Sequence, residues 1–316
     1  MIFDFLNGFH DSSNIVATVI SSRAMGPRKA LLMAAIAHFI APFLFGVAVA
    51  TTIGKDIIEP AAISGSVILA AVVAAIVWNI ITWLLAIPSS SSHALIGGLL
   101  GSSILAYGFA IVQKPGLIKV IAALLISPVA GLVAGFLIMR ILRFLLQGST
   151  PRVNTFFKRS QIVTSLGLSL AHGSNDAQKT MGVITMGLVV TGFQSSFEVP
   201  LWVITISAAA IALGTMFGGW RLIRTLGERI YKIRPIHAFT SQAASAAVIL
   251  SAALLGGPVS TTQVVGSSIM GAGAAERISK VRWQVGQEML VTWVITIPGA
   301  AVIAAILYLP IDAIFR

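Results

Sequence analysis

The sequence predicts an all-α integral membrane protein built of two inverted-topology repeats, each with a broken helix and a re-entrant hairpin. Three observations carry that prediction. Of the 316 residues, 57% are apolar and only 10% are charged, against roughly a quarter charged in a soluble domain. The basic residues gather at alternate ends of the apolar segments. Short polar motifs recur at nearly one offset between the two halves.

Apolar runs of the length that crosses a hydrocarbon core of about 30 Å fall at 30–53, 64–87, 117–146, 161–190, 201–220, 236–257 and 284–309. No stretch between them is long enough for a soluble domain. The opening residues, "MIFDFLNGFHDSSNIVATVI", lack the basic start and small-residue cleavage site of a signal peptide. They are expected to form a retained first helix over 2–21.

Sixteen of the 21 Lys and Arg residues lie in four clusters: Arg23, Arg28, Lys29; Arg140, Arg143, Arg152, Lys158, Arg159; Arg221, Arg224, Arg229, Lys232, Arg234; and Arg277, Lys280, Arg282. By the positive-inside rule these four places are cytoplasmic. The segments then follow in order. Residues 2–21 run inward and 30–53 outward, 64–112 starts and finishes outside, and 117–146 returns inside. After a short cytoplasmic linker, 147–160, the run 161–190 goes outward and 201–220 inward. The stretch 236–275 starts and finishes inside, and 284–309 ends outside. Two repeats follow, 1–146 and 161–316, the second upside down relative to the first. Both termini are expected outside a multi-pass cytoplasmic membrane protein.

Internal echoes agree with that division. "GFHDSSN" (Gly8 to Asn14) matches "GSNDAQK" (Gly173 to Lys179), with Asp11 and Asp176 165 positions apart. "PSSSSH" (Pro88 to His93) matches "PVSTTQ" (Pro258 to Gln263) at an offset of 170, and Pro128 matches Pro298 at the same offset. Inverted repeats with interrupted helices point to a secondary transporter whose site lies between the repeats near the bilayer midplane.

The interruptions define what such a site holds. A helix must end near Pro88, and the serines after it are good N-caps for a new one. Likewise Gly256 and Gly257 end a helix, and Ser260, Thr261 or Thr262 caps the next. Two helix starts offer free N–H groups, a positive dipole end and a row of hydroxyls, which suit an oxyanion. Asp11 and Asp176 are costly in mid-membrane. With Asn14 and Asn175 they form a hard-ligand set suited to Na⁺ or to a proton relay. Lys179, three residues after Asp176, is expected to face the anion rather than pair with that carboxylate. His10 beside Asp11 is the side chain expected to carry a coupled proton.

Several function classes fall away. The net charge of +11 is spread over four clusters rather than one face, so nucleic acid is not an expected partner. With no cysteine, disulfides, thiolate metal sites and thiol catalysis are excluded. No Walker or dinucleotide fingerprint is present, which argues against an ATP-driven pump. A hydrolase using "SSSSH", His93 and Asp11 needs one ordered nucleophilic set, whereas the equivalent of His93 is Gln263 and both halves are hydroxyl-rich. The protein is therefore not expected to be an enzyme.

These motifs resemble those of the inorganic phosphate transporter (PiT) family of secondary symporters, bacterial low-affinity permease type, over nearly the whole chain. The resemblance rests on "NGFHDSSN" and "AHGSNDAQK", and on "PSSSSH" and "PVSTTQ". It implies two re-entrant hairpins whose tips cradle phosphate, with Ser90, Ser91, Ser92, Ser260, Thr261 and Thr262 as anion ligands. It also implies Asp11, Asn14, Asn175 and Asp176 as cation ligands. Departures from the fullest family pattern fall at Lys179, Gln242 and Gln263, and fewer anionic ligands imply fewer bound Na⁺ ions. The expected activity is import of inorganic phosphate, free or as a metal complex, driven by a cation gradient. The proton is the favoured ion and Na⁺ the alternative, with no other cofactor. A sulfate permease of the same fold and an anion channel are the rival readings, and a homo-oligomer is compatible with the chain.

Overall fold

The computed structural model describes residues 1–59, 63–85, 87, 89–218 and 233–315. Pro88 and the basic residues Arg221, Arg224, Arg229 and Lys232 lie outside the described residues, and so do the readings placed on them.

The described residues form helices joined by short connections. In chain order these are α1 (Ile2–Ser21), α2 (Pro27–Phe45), α3 (Ala48–Thr51), α4 (Gly65–Leu84), α5 (Ser91–Tyr107), α6 (Lys114–Leu145), α7 (Val153–Val190), α8 (Leu201–Phe217), α9 (Pro235–Leu254), α10 (Thr261–Arg277) and α11 (Trp283–Phe315). Five of them, α2, α4, α6, α9 and α11, are long and apolar enough to cross a membrane.

The boundaries differ from the sequence expectation in informative ways. The apolar run 30–53 is not one helix: α2 stops at Gly46, whose φ of 76° no β-carbon residue adopts cheaply, and the chain restarts as α3 and a π-turn over Thr52–Asp56. More than half of the stretch 147–160 is helical, because α7 begins at Val153 and runs for 38 residues. Pro128 and Pro298 lie inside α6 and α11 rather than at their ends. Neighbouring helices in a bundle tolerate such prolines by re-satisfying the freed carbonyls.

Burial is inverted relative to a soluble protein. On α6 the exposed residues are large and apolar, among them Ile118, Leu125, Val129, Val133 and Ile141. On α11 they include Leu290, Val294, Val302, Ile306 and Leu309. Hydrocarbon is as apolar as these side chains, so a lipid-facing surface has no reason to hide them. The buried interior instead contains two polar seams. One runs along α1 through Asp4, Asn7, Asp11, Asn14 and Thr18; the other runs along α7 through Gln161, Ser165, Ser169, His172, Asp176 and Thr180. Spacings of three and four keep each set on one helical face.

Packing partners come in exchanged couples. α1 lies on α8 and α7 on α2; α4 lies on α1 and α9 on α7; α5 lies on α11 and α10 on α6. The last couple is close enough to exclude side chains. A β-carbon at Gly101 of α5 would meet the backbone of Ala301, and one at Gly271 of α10 would meet that of Leu132. Without a hydrophobic driving force in lipid, such backbone proximity is what lets dispersion and hydrogen bonds hold membrane helices together. α5 and α10 are thereby fixed deep in the molecule with their N-termini pointing to its centre.

Candidate functional site

The centre is built from two helix starts and two helix middles. α5 begins at Ser91, with Ser90 as N-cap: its hydroxyl accepts from the His93 backbone N–H at 3.2 Å. α10 begins at Thr261, where the Ser260 hydroxyl accepts from the Gln263 N–H at 3.3 Å. Each cap satisfies one of the first-turn donors. The N–H groups of Ser91, Ser92, Thr261 and Thr262 have no intrahelical acceptor and stay available.

The two tips touch. Ser92 Oγ donates to the Val259 carbonyl at 2.9 Å, and His93 Nε2 lies 3.3 Å from Gln263 Nε2, 170 positions along the chain. His93 is held in turn by Ser90, its Nδ1 lying 2.7 Å from the hydroxyl.

The mid-helix motifs of α1 and α7 lie against these tips. Asp11 accepts from Ser91 Oγ at 3.4 Å and from Thr262 Oγ1 at 3.3 Å, while Asp176 accepts from Thr261 Oγ1 at 3.3 Å. Asn14 Nδ2 donates to Thr262 Oγ1 at 2.9 Å, and Asn175 Nδ2 donates to the Gly257 carbonyl at 3.1 Å. All of these side chains are buried. The carbonyl oxygens of Asn14 and Asn175 have no hydrogen-bond partner among the described residues. Two carboxylates with two unpartnered amide oxygens form a set that fits a hard cation, whose ligands are oxygens.

Three further groups lie against the carboxylates. His10 Nδ1 is 3.0 Å from Asp11 Oδ1. Lys179 is ion-paired with Asp176, contrary to the expectation that it turns from that carboxylate toward the anion. Three residues make just under one helical turn, and in a dry interior an ammonium and a carboxylate left apart are each too costly. His172, which the sequence reading did not single out, sits with Nε2 3.2 Å from Asp176 and 4.0 Å from Asp11. Asp11, His172 and Asp176 each offer a ligand atom within 4.8 Å of the others. Its spacing of four before Asp176 was the available signal. His38 stacks on the His172 ring at 4.9 Å and contacts Thr215 Oγ1 at 2.8 Å, which holds the imidazole in place from α2.

On the side where α1 ends lies a hydrogen-bonded cluster. Gln242 donates to Thr18 at 2.9 Å and accepts from Thr164 at 2.6 Å, while Ser22 donates to Gln161. The cluster ties α1, α7 and α9 together next to the site. Each of the twelve residues proposed from sequence thus lies in or beside one buried centre, although they come from four helices far apart in the chain.

A bundle with apolar outer faces, and a buried centre where capped helix starts meet paired carboxylates, defines a membrane transporter rather than an enzyme. The comparisons with known proteins agree. The phosphate transporter family model matches residues 7–304, and the chain belongs to that family. It is 46% identical over 319 residues to a protein of Bacillus subtilis (strain 168) named probable low-affinity inorganic phosphate transporter, covering 100% of this chain and 96% of that one. A protein of the same name from Rhizobium meliloti (strain 1021) is 45% identical, with 99% and 95% covered. A solved structure titled the sodium-dependent phosphate transporter shares the fold, with a TM-score of 0.90, 24% identity, and 99% and 97% of the two chains covered.

Proposed function

We propose that this protein imports inorganic phosphate across the cytoplasmic membrane as a secondary active symporter, driven mainly by a proton gradient. The anion is held between the starts of α5 and α10, by Ser90, Ser91, Ser92, Ser260, Thr261 and Thr262 and their free N–H groups. Lys179 adds positive charge from the Asp176 side. Asp11, Asn14, Asn175 and Asp176 are the cation ligands, with Na⁺ as an auxiliary ion there and His10 positioned to exchange a proton with Asp11.

The single observation that carries the reading is the meeting of the two capped helix starts, Ser92 on Val259, directly over the two buried carboxylates. Helix starts supply donors for an anion and carboxylates supply ligands for a cation, so one small volume serves both ions of a symporter. The exchanged packing couples support two inverted repeats, 1–146 and 161–316, rocking about that volume, with both termini outside.

The relatives named for phosphate transport set phosphate above sulfate as the anion. Lys179 favours the proton over a second sodium, because a resident ammonium already neutralises one carboxylate. Proteoliposomes containing only this protein test the proposal. Phosphate should accumulate under an inward proton gradient without sodium. Accumulation only under an inward sodium gradient at equal pH would reject proton coupling, and flux indifferent to both gradients would make the protein an anion channel.

A further inference from the structure

We propose that Asp4 is a second ion site, separate from the Asp11–Asp176 centre, and that its ligand is a coupled proton. The proposal rests on the proton-coupled reading above and says where one such proton is carried.

Asp4 lies in the first turn of α1, seven residues before Asp11, which is about 10 Å along a helix axis. Its side chain is fully buried. Oδ1 accepts from Thr180 Oγ1 of α7 at 2.5 Å, while Oδ2 has no hydrogen-bond partner among the described residues. Two more polar groups nearby are equally buried and equally unpartnered: both amide atoms of Asn7, the next residue along the α1 seam, and the hydroxyl of Ser207 on α8. Ser207 stands beside the Asp4 carboxyl. The packing of α1 on α8 explains why, since Gly8 seats on Ile211, and these lie four residues past Asp4 and Ser207 respectively.

Among the described residues, the basic side chains buried around the centre are engaged elsewhere. His10 faces Asp11 and Lys179 pairs with Asp176. The charged groups that face Asp4 are the amino terminus of its own helix and Asp176 of α7. α8 contributes no titratable side chain over Leu201–Phe217, and neither does α4 over Gly65–Leu84. His38 of α2 is taken up by Thr215 and the His172 ring. His237 of α9 and Glu276 of α10 bond each other at 2.6 Å beyond the opposite end of the α1 seam.

The amino terminus belongs to the exposed Met1 and is screened by solvent, and an ionised carboxylate in so dry a place without a buried counter-ion acquires one or takes up a proton. A proton at Oδ2 forms one O–H bond, takes the charge from −1 to 0, and turns an unpartnered acceptor into a donor for Asn7 Oδ1 or Ser207 Oγ. The O–H bond breaks again when the proton leaves to water. Met1 and Ile2, one turn away, are 41% and 68% exposed, so the carboxyl lies within one turn of the surface on the side where α1 begins.

Infrared spectroscopy of the full-length protein in liposomes reads this directly, through the carbonyl stretch of a protonated carboxylic acid at neutral pH. The band should be present in the parent protein, missing in Asp4→Asn, and restored in Asp4→Glu. In the same vesicles Asp4→Asn should lose at least tenfold of proton-driven phosphate accumulation, while exchange of labelled for unlabelled phosphate falls much less. A band that survives in Asp4→Asn overturns the proposal, as does a variant that accumulates phosphate like the parent. Loss of ²²Na⁺ binding in Asp4→Asn, with no acid band in the parent, overturns it in favour of sodium. If the parent itself accumulates nothing under a proton gradient, the symport reading fails, and the infrared band still decides the state of Asp4.

Discussion

His172 stands between the two site carboxylates, its Nε2 3.2 Å from Asp176 and 4.0 Å from Asp11, so one imidazole links the polar seams of α1 and α7. An amide side chain is polar but too short to place an atom where Nε2 stands, so it loses the link. His172→Asn should lower proton-driven phosphate uptake by about tenfold or more while the protein still folds, as checked by initial rates in proteoliposomes beside a thermal melt. Uptake within a factor of two of the parent would remove His172 from the mechanism.

The hydroxyls at the two helix starts are the second test. Ser91→Ala and Thr261→Ala should each weaken phosphate binding by about 1.5–3 kcal/mol, the range for a hydrogen bond to a charged group. Calorimetric titration would register that as a rise of roughly ten- to 150-fold in Kd. Unchanged affinity in both variants would show that the tips do not converge on the anion.

Lys179 and Asp176 form a buried pair, and removing one partner strands the other. Lys179→Met should destabilise the fold by about 3–5 kcal/mol, seen as a lowered Tm in detergent. Lys179→Asn instead leaves an amide oxygen beside the freed carboxylate, and its phosphate uptake should become sodium-dependent. Sodium-independent uptake at the parent rate in Lys179→Asn would mean that the ammonium has no part in choosing the coupled ion.

The close approach of α5 to α11 can be tested without touching the site. Gly101→Leu places a side chain on the Ala301 backbone, and overpacking of that kind costs about 1–3 kcal/mol or more. A lowered Tm and reduced yield are expected, and a fully stable variant would contradict the packing described here.

Topology has its own measurement, because the chain holds no cysteine. Single cysteines at Ser149 and Ser195 should react with an impermeant thiol reagent from opposite sides of the membrane. Labelling of both from one side would refute the inverted arrangement.

Much of the local structure was legible because it depends on neighbours in sequence. The first helix was expected over 2–21 and is Ile2–Ser21. The N-caps were expected among Ser89–Ser92 and Ser260–Thr262 and are Ser90 and Ser260, since a serine hydroxyl reaches an N–H three residues on whatever surrounds it. The break at Gly46 was not legible: an apolar run records what lipid tolerates, and lipid is indifferent to whether that run is one helix or two.

The sequence by itself determined that the chain is membrane-embedded and helical, where α5 and α10 start, and which polar motifs recur in its two halves. Composition, capping chemistry and repeat spacing are properties of the chain read along its length. Only the tertiary structure decided how those motifs combine: that Ser92 meets Val259, that Lys179 spends its charge on Asp176, that His172 lies between two carboxylates, and that Asp4 finds hydroxyls from α7 and α8 but, among the described residues, no buried cationic side chain. The Ser92–Val259, His172–Asp11 and Asp4–Thr180 contacts join residues more than 160 positions apart, whereas Lys179 and His172 lie within about one helical turn of Asp176. They are settled by which buried charges lie close enough, in a medium of low dielectric, to neutralise one another.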